Sequence, residues 1–286
     1  MLARNWRTTG LLELGDFAGV ERELARVEHM AIELRQPRAM IYVPLHRAMT
    51  AVARGRLDEA EALNAESRKI GARLAKAGSE LAAAAQLVVI RMLQGRLPEI
   101  EPALRALADT HPTMITLRCA IVVMLLQSGE VARARADFDA ILAAGPAALP
   151  RDNTHIVALA LLADAARALG DETRARALHG ALERYAGRWV VSPTAAALWP
   201  VDRSLGVLAA TFGDTDLALS HLAVARALGE AADARPTLGL VALDEARVLA
   251  LRGDPGAGDH ARRARVLAEE LGMREVADAA RALEAA

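Results

Sequence analysis

Apolar and polar residues along this chain recur with the period of an α-helix, and the helical pattern is interrupted at regular intervals by a glycine followed by a polar residue. Consecutive glycines of this set lie 40, 40, 34, 41, 43 and 40 residues apart. A period in this range, with two helical segments per unit, is typical of an α-solenoid built from helical hairpins. The seven glycines are Gly15, Gly55, Gly95, Gly129, Gly170, Gly213 and Gly253.

Each of these glycines is predicted to be the turn of a hairpin. A helix commonly ends on a residue in the left-handed conformation, which glycine adopts at little cost, and a polar or acidic residue after the turn suits the first turn of the next helix. Small or β-branched residues, such as Ala60 and Ala134 after the turns and Ala48 and Val122 before them, stand where two helices would approach closely. The spacing therefore predicts tightly packed helix pairs.

The segment Gly55-Arg56-Leu57-Asp58-Glu59-Ala60 resembles the turn and alanine of the tetratricopeptide repeat, and Pro112 and Pro146 lie 17 residues after a repeat glycine, where that family places its proline. The aromatic positions of the family are mostly filled here by Leu, Val and Ala. The resemblance implies an all-α fold, a right-handed α-solenoid of about seven TPR-like antiparallel helix pairs plus a C-terminal capping helix. It covers residues 1–286 as a single domain, with repeats at roughly 1–36, 37–77, 78–111, 112–149, 150–187, 197–232 and 233–272 and the capping helix at 273–285.

A narrower resemblance rests on Tyr185-Ala186-Gly187-Arg188-Trp189-Val190-Val191, Leu205 to Thr211, Ala234-Arg235-Pro236 and Glu270-Leu271-Gly272-Met273. These segments are similar to the C-terminal repeat region of bacterial AAA or signal-transduction ATPase regulators, LuxR-type or linked to adenylate cyclase. The resemblance implies a protein-interaction or signal-sensing scaffold in a transcriptional or signalling regulator, with a protein or an attached ATPase domain as its partner. The chain has no glycine-rich loop ending in Lys-Ser or Lys-Thr, so it would be the sensor part alone.

Composition argues against several partners. The 35 basic and 36 acidic residues nearly cancel, so no strong field attracts a polyanion, and we expect no direct contact with nucleic acid. Cys119 is the only cysteine, which fits a reducing compartment. Residues 1–14 lack the apolar stretch of a signal peptide, and no run approaches the roughly 20 apolar residues of a membrane span. We therefore expect a cytoplasmic protein with no membrane partner.

In the tetratricopeptide family the first helix of each hairpin lines the concave face, so counting back from each glycine identifies candidate groove residues. The N-terminal half of this groove would be apolar, and the C-terminal half would carry three arginines able to fork onto carboxylate or phosphate. A ligand, a peptide, a neighbouring domain or a second copy of the chain would cover the apolar half, unless a tight superhelical twist buries it. The candidates are Tyr42, Leu45, Met49, Val52, Val89, Met92, Val123, Asp164, Arg167, Arg203 and Arg247.

No set of residues has the spacing required for catalysis. The seven histidines form no pair on one helical turn, and the apolar surroundings of Cys119 raise a thiol's pKa. We therefore expect no enzyme, no catalytic or metal-binding residue and no cofactor. Distant residues can still converge in a groove, and Asp164 with Arg167 would be the first pair to consider as catalytic.

An alternative to the scaffold is a stand-alone small-molecule or peptide binding protein. In that case the methionine-lined half of the groove and the arginine cluster would be the two ends of one pocket. Residues 187–200 interrupt the repeat pattern and include Trp189 and Trp199, which we interpret as a loop folded back onto the helices. The sequence does not decide between the two functions.

Overall fold

The computed structural model describes residues 2–35, 40–73 and 77–285. Over these ranges the chain is all-α, with one small β-hairpin. The helices are α1 (Leu2–Glu13), α2 (Phe17–Glu33), α3 (Tyr42–Ala53), α4 (Leu57–Arg73), α5 (Ala77–Leu93), α6 (Glu101–Thr110), α7 (Ile115–Gln127), α8 (Val131–Ile141), α9 (His155–Leu169), α10 (Glu172–Leu182), α11 (Val201–Thr211), α12 (Thr215–Ala231), α13 (Arg235–Leu251), α14 (Ala257–Leu271) and α15 (Arg274–Glu284). The strands are β1 (Trp189–Ser192) and β2 (Ala196–Pro200).

All seven predicted turn glycines lie between consecutive helices and have positive φ angles, between 64° and 88°. Three of the following helices begin with an aspartate whose side chain accepts a hydrogen bond from a backbone N–H of the first turn, at Asp16, Asp171 and Asp214. After Gly95 a short 3₁₀ helix, Leu97–Ile100, leads into α6. The prediction that the chain turns at these glycines is confirmed.

Helices that are neighbours in sequence pack against each other, and the odd-numbered helices also contact one another in series. Thus α7 contacts α9, α9 contacts α11, α11 contacts α13 and α13 contacts α15. This arrangement of two layers is compatible with a helical repeat fold. The predicted boundary between the first two repeats, at residues 36 and 37, lies outside the described residues.

Residues 187–200 form a β-hairpin, not the loop that the sequence suggested. β1 and β2 are antiparallel, with Trp189 opposite Pro200 and Val191 opposite Ala197. Both tryptophans are buried, as expected for a segment folded back onto the helices. β1 contacts α1 and α9, and β2 contacts α3, α11, α12 and α13, so the hairpin joins the beginning of the helical array to its end.

Helix α3 also contacts α13 directly, so the array closes on itself. The side-chain amide of Gln86 donates hydrogen bonds of 3.0 Å to the carbonyl oxygens of Leu45 and Ala195, which ties α5 to α3 and to the β-hairpin. A Cβ atom added at Gly55 would lie 2.6 Å from Leu271 Cδ2, because the second hairpin turn touches the end of α14. The accessible surface of 12333 Å² is close to the roughly 11,800 Å² expected of a compact 30.4 kDa monomer.

The closed arrangement predicts that Trp189→Ala is strongly destabilising. Trp189 is 1% exposed, and its ring lies edge-on to Phe17 at 5.1 Å between centroids. Removing a buried aromatic side chain costs about 3–5 kcal/mol, and chemical denaturation measures this loss. Trp6→Ala is the matched control, because Trp6 is 53% exposed and its replacement should change stability by less than about 0.5 kcal/mol. Equal effects of the two substitutions would contradict the position of the β-hairpin.

Candidate functional site

A cavity of about 320 Å³ lies on the inner side of the array. It is lined by the odd-numbered helices from α5 to α13, by β2, and by α15 together with Met273 just before it. Its volume falls at the lower end of the range found for small-molecule sites. The lining residues are Met92, Leu93, Val123, Leu126, Gln127, Leu161, Asp164, Ala165, Arg167, Ala168, Trp199, Arg203, Leu240, Leu243, Arg247, Met273, Glu275, Val276 and Ala279.

Six of the residues proposed from the sequence come together at this cavity. They belong to both halves of the predicted groove, two apolar and four charged. They are Met92, Val123, Asp164, Arg167, Arg203 and Arg247. Val89 is partly buried and packs against the main hydrophobic core, outside the cavity lining.

The first part of the predicted groove is not an open surface. Leu45, Met49 and Val52 are completely buried, and Met49 packs in one apolar cluster with Trp189. Tyr42 is partly buried beside the cluster that contains Leu45. The β-hairpin and neighbouring helices cover these side chains, so residues on α3 are buried, as the alternative to an open groove expected.

Arg203 is the centre of a buried ionic network. Its Nη1 and Nη2 atoms donate to the two carboxylate oxygens of Asp164 at 3.0 and 2.9 Å, and its Nε donates to Asp244 at 2.8 Å. Its guanidinium carbon lies 4.6 Å from the centroid of the Trp199 ring. Arg203 and Asp244 are each only 3% exposed. A planar guanidinium satisfied on three nitrogens and stacked on an indole is held in one orientation.

The network keeps both aspartate and arginine charged. Burial by itself would lower the pKa of Arg203, but the carboxylates of Asp164 and Asp244 outweigh it and raise that pKa. Burial would likewise raise the pKa of Asp164, yet the charge and hydrogen bonds of Arg203 hold it below its usual value. Asp164 is therefore an ionised hydrogen-bond acceptor and not a proton donor for general acid chemistry.

Two further arginines face the same cavity with fewer partners. Arg247 donates from Nη1 to Asp244 at 2.9 Å, and its pKa is lowered, first by burial and then by the positive charge of Arg167. The side chain of Arg167 makes no hydrogen bond or ion pair with any residue in the described part of the chain, and its Nε is buried without a partner. The cavity thus contains a guanidinium group whose hydrogen-bonding capacity is unused.

Sequence reasoning missed several residues of the site. Gln127 Nε2 donates to Glu275 Oε2 at 2.9 Å, which connects α7 to α15 beside the cavity. Asp244 supplies the second carboxylate of the Arg203 network. A signal for Asp244 was present, because an acidic residue inside the long apolar pattern of α13 needs a partner when the helix is buried. Glu275 carried no such signal, because its position follows only from closure of the array.

The other side chains considered as metal ligands or nucleophiles, such as His46 and Cys119, are buried in the protein interior. Within the described ranges no three His, Cys, Asp or Glu side chains come together as a metal site. His46 is completely buried, and its Nδ1 lies 2.8 Å from the carbonyl oxygen of Tyr42. Burial raises the pKa of the Cys119 thiol to about 12, which leaves almost no thiolate at neutral pH.

Comparison with protein-family models gives no match to this chain, and comparison with curated proteins gives none either. Among the helices described, none combines the length and the apolar character required to cross a membrane.

We predict that Arg203→Met destabilises the fold by about 3–5 kcal/mol, because it leaves Asp164 without an ion-pair partner and the buried Asp244 with Arg247 alone. Denaturation followed by circular dichroism measures the loss. Arg262→Met serves as the control, because the Arg262–Asp259 pair is exposed and such pairs contribute less than about 1 kcal/mol. If the Arg203→Met variant had the same denaturation midpoint as the wild-type chain, the ionic network would not form.

Cys119 is predicted to be inert in the folded protein. At pH 8 the native chain should release no thionitrobenzoate from Ellman's reagent over the time in which the urea-unfolded chain releases one equivalent, because the thiol is buried and protonated. Rapid reaction of the native protein would contradict the burial of α7.

Proposed function

We propose that this chain is a non-catalytic binding module, a TPR-like helical array that encloses a small molecule in its central cavity. The observation that carries the proposal is the composition of the cavity wall. Apolar side chains from α5, α7, α13 and α15 surround a cluster of three arginines, and the chain closes around them. Concave sites with mostly apolar walls and a few convergent polar groups are the usual form of small-molecule sites.

The charged groups of the cavity favour binding over catalysis. Asp164 and Asp244 both form ion pairs with Arg203, and the charge and hydrogen bonds of Arg203 hold the pKa of Asp164 below its usual value, so Asp164 is not a general acid. Cys119 is too poorly ionised to act as a nucleophile. The remaining arginines remain charged at neutral pH and serve as hydrogen-bond donors. The module is therefore expected to bind its ligand unchanged.

The second candidate is a signal-sensing or protein-interaction scaffold in a bacterial transcriptional or signalling regulator, and it is compatible with the first. Met92 on α5 and Val276 on α15 face the same cavity, so a ligand that contacts both would favour the closed form of the array. A protein partner, an attached ATPase domain or a second copy of the chain would then respond to that change. Trp6 and Leu14 on the first hairpin, 53% and 71% exposed, are apolar contacts available to such a partner.

The binding function is tested with the neutral fluorescent probe N-phenyl-1-naphthylamine, which becomes bright in apolar sites. The purified chain should bind it saturably with a stoichiometry of one. Val123→Trp places an indole in the cavity and should abolish the saturable signal.

Val266→Trp is the matched control, because Val266 is 42% exposed on α14 and does not line the central cavity. The control should bind the probe as the wild-type chain does. Absence of saturable binding, or equal binding by both variants, would overturn the proposal of a small-molecule site and leave the scaffold as the better account.

A further inference from the structure

Only two of the three arginines that line the cavity form an ion pair with a carboxylate within 4 Å. Three arginines, Arg167, Arg203 and Arg247, face two aspartates, Asp164 and Asp244. Arg203 contacts both aspartates, and Arg247 contacts one of them. The Arg167 side chain has no hydrogen-bond or ion-pair partner among the described residues, and only the longer-range charges of Asp164 and of Glu275, which also lines the cavity, act on it.

The aspartates make their hydrogen bonds to the other two arginines and none to the side chain of Arg167. Both oxygens of Asp164 accept from Arg203, while the oxygens of Asp244 accept one each from Arg203 and Arg247. The positive charge of Arg167 contributes to the lowered pKa of Arg247, which means that the two guanidinium groups repel each other. An anion between them would relieve that repulsion and satisfy the free donors.

Apart from Gln127 and Glu275, the rest of the wall is apolar. Met92, Val123 and Leu126 lie on one side of the cavity, and Met273 and Val276 lie on the side formed by the C-terminal helices. A ligand that fills the space therefore needs a hydrocarbon or aromatic body beside its anionic group. Its volume must fit a cavity of about 320 Å³.

We propose that the cavity binds a monocarboxylate with an apolar body, whose carboxylate is held by the free guanidinium of Arg167 with assistance from Arg247. This inference rests on the proposed binding function and names the chemical class of its ligand. A carboxylate matches the fork of a guanidinium and accepts two parallel hydrogen bonds from it.

A single negative charge fits the site better than two. Only one of the three guanidinium groups lacks an ion-pair partner, and Glu275, which also lines the cavity, already contributes a negative charge. Glu275 forms no ion pair with Arg167 within 4 Å, and its Oε2 accepts from Gln127 instead. A phosphate monoester, which carries close to two charges at neutral pH, would be repelled more strongly by this carboxylate.

The experiment displaces N-phenyl-1-naphthylamine with four octyl compounds that differ only in the head group: octanoate, octanol, octylamine and octyl phosphate. Octanoate is expected to displace the probe at concentrations at least tenfold lower than octanol, and octylamine should be the weakest competitor. Preference for octyl phosphate over octanoate would overturn the assignment of a monoanion. Equal displacement by octanoate and octanol would overturn the role of the arginines while leaving the binding function intact.

Two variants and a control assign the head group to its residue. Arg167→Gln should weaken the binding of octanoate about 10- to 100-fold and leave the binding of octanol unchanged, because charge-assisted hydrogen bonds contribute on this scale. The affinity of Arg167→Lys for octanoate should lie between those of the wild type and Arg167→Gln, since an ammonium group retains the charge but not the forked pair of donors. Arg118→Gln, at an exposed arginine of α7 outside the cavity, should bind octanoate as the wild type does.

Glu275→Gln provides an independent check in the opposite direction. Removing its negative charge should strengthen octanoate binding severalfold without affecting octanol. If Glu275→Gln weakens octanoate, or if Arg167→Gln weakens octanol as much as octanoate, the carboxylate does not lie at Arg167. Absence of probe binding in the wild-type chain would instead contradict the proposed function itself, so the two failures are distinguishable.

Discussion

The fold depends on the burial of the β-hairpin at 189–200 between α1 and α3 on one side and α9 and α11 to α13 on the other. Trp189 fills the space next to Phe17 and the Gly15 turn, and β2 lies against α3 and α13. An open array of the same helices would expose the apolar inner sides of α3 and α9, at a cost of about 25 cal/mol for each Å². The hairpin and the contact between α3 and α13 cover that surface, and the cavity is the part of the interior that they leave unfilled.

A closed, mostly apolar interior makes every charge inside it costly unless it is paired. Arg203 meets that condition with two aspartates and the Trp199 ring, which fixes the position of Asp164 and Asp244. The same pairing leaves Arg167 without a carboxylate of its own. The network that stabilises the interior therefore also creates the positive site to which the ligand's anion is assigned.

The helices and their turns could be predicted from the sequence because the signals for them are local. Each turn glycine has a positive φ angle, which favours glycine at that position. The aspartates after three of these glycines cap the next helix through their own side chains. The β-hairpin was missed although Trp189-Val190-Val191 and Ala196 to Trp199 flank the turn residues Pro193 and Thr194, a pattern typical of paired strands. The strands are only four and five residues long and almost entirely buried, so they lack the alternation of apolar and polar residues that identifies a strand.

The candidate site was predictable only in part, for a related reason. Counting back from the turns located Asp164, Arg167, Arg203 and Arg247, because helices in one layer present equivalent positions to one side. The same count placed Met49 in an open groove, whereas the structure buries it against Trp189. Closure between distant parts of the chain decides which inner positions face a cavity and which face the core, and the spacing of repeats contains no information about it.

Closure around the cavity is the central claim, and small-angle X-ray scattering of the purified chain tests it most directly. A compact domain of 286 residues has a radius of gyration of about 19 Å, and the account predicts a value near this with a symmetric distribution of interatomic distances. A radius several ångströms larger, with the skewed distance distribution of an elongated particle, would show an open array and contradict both the position of the β-hairpin and the contact between α3 and α13.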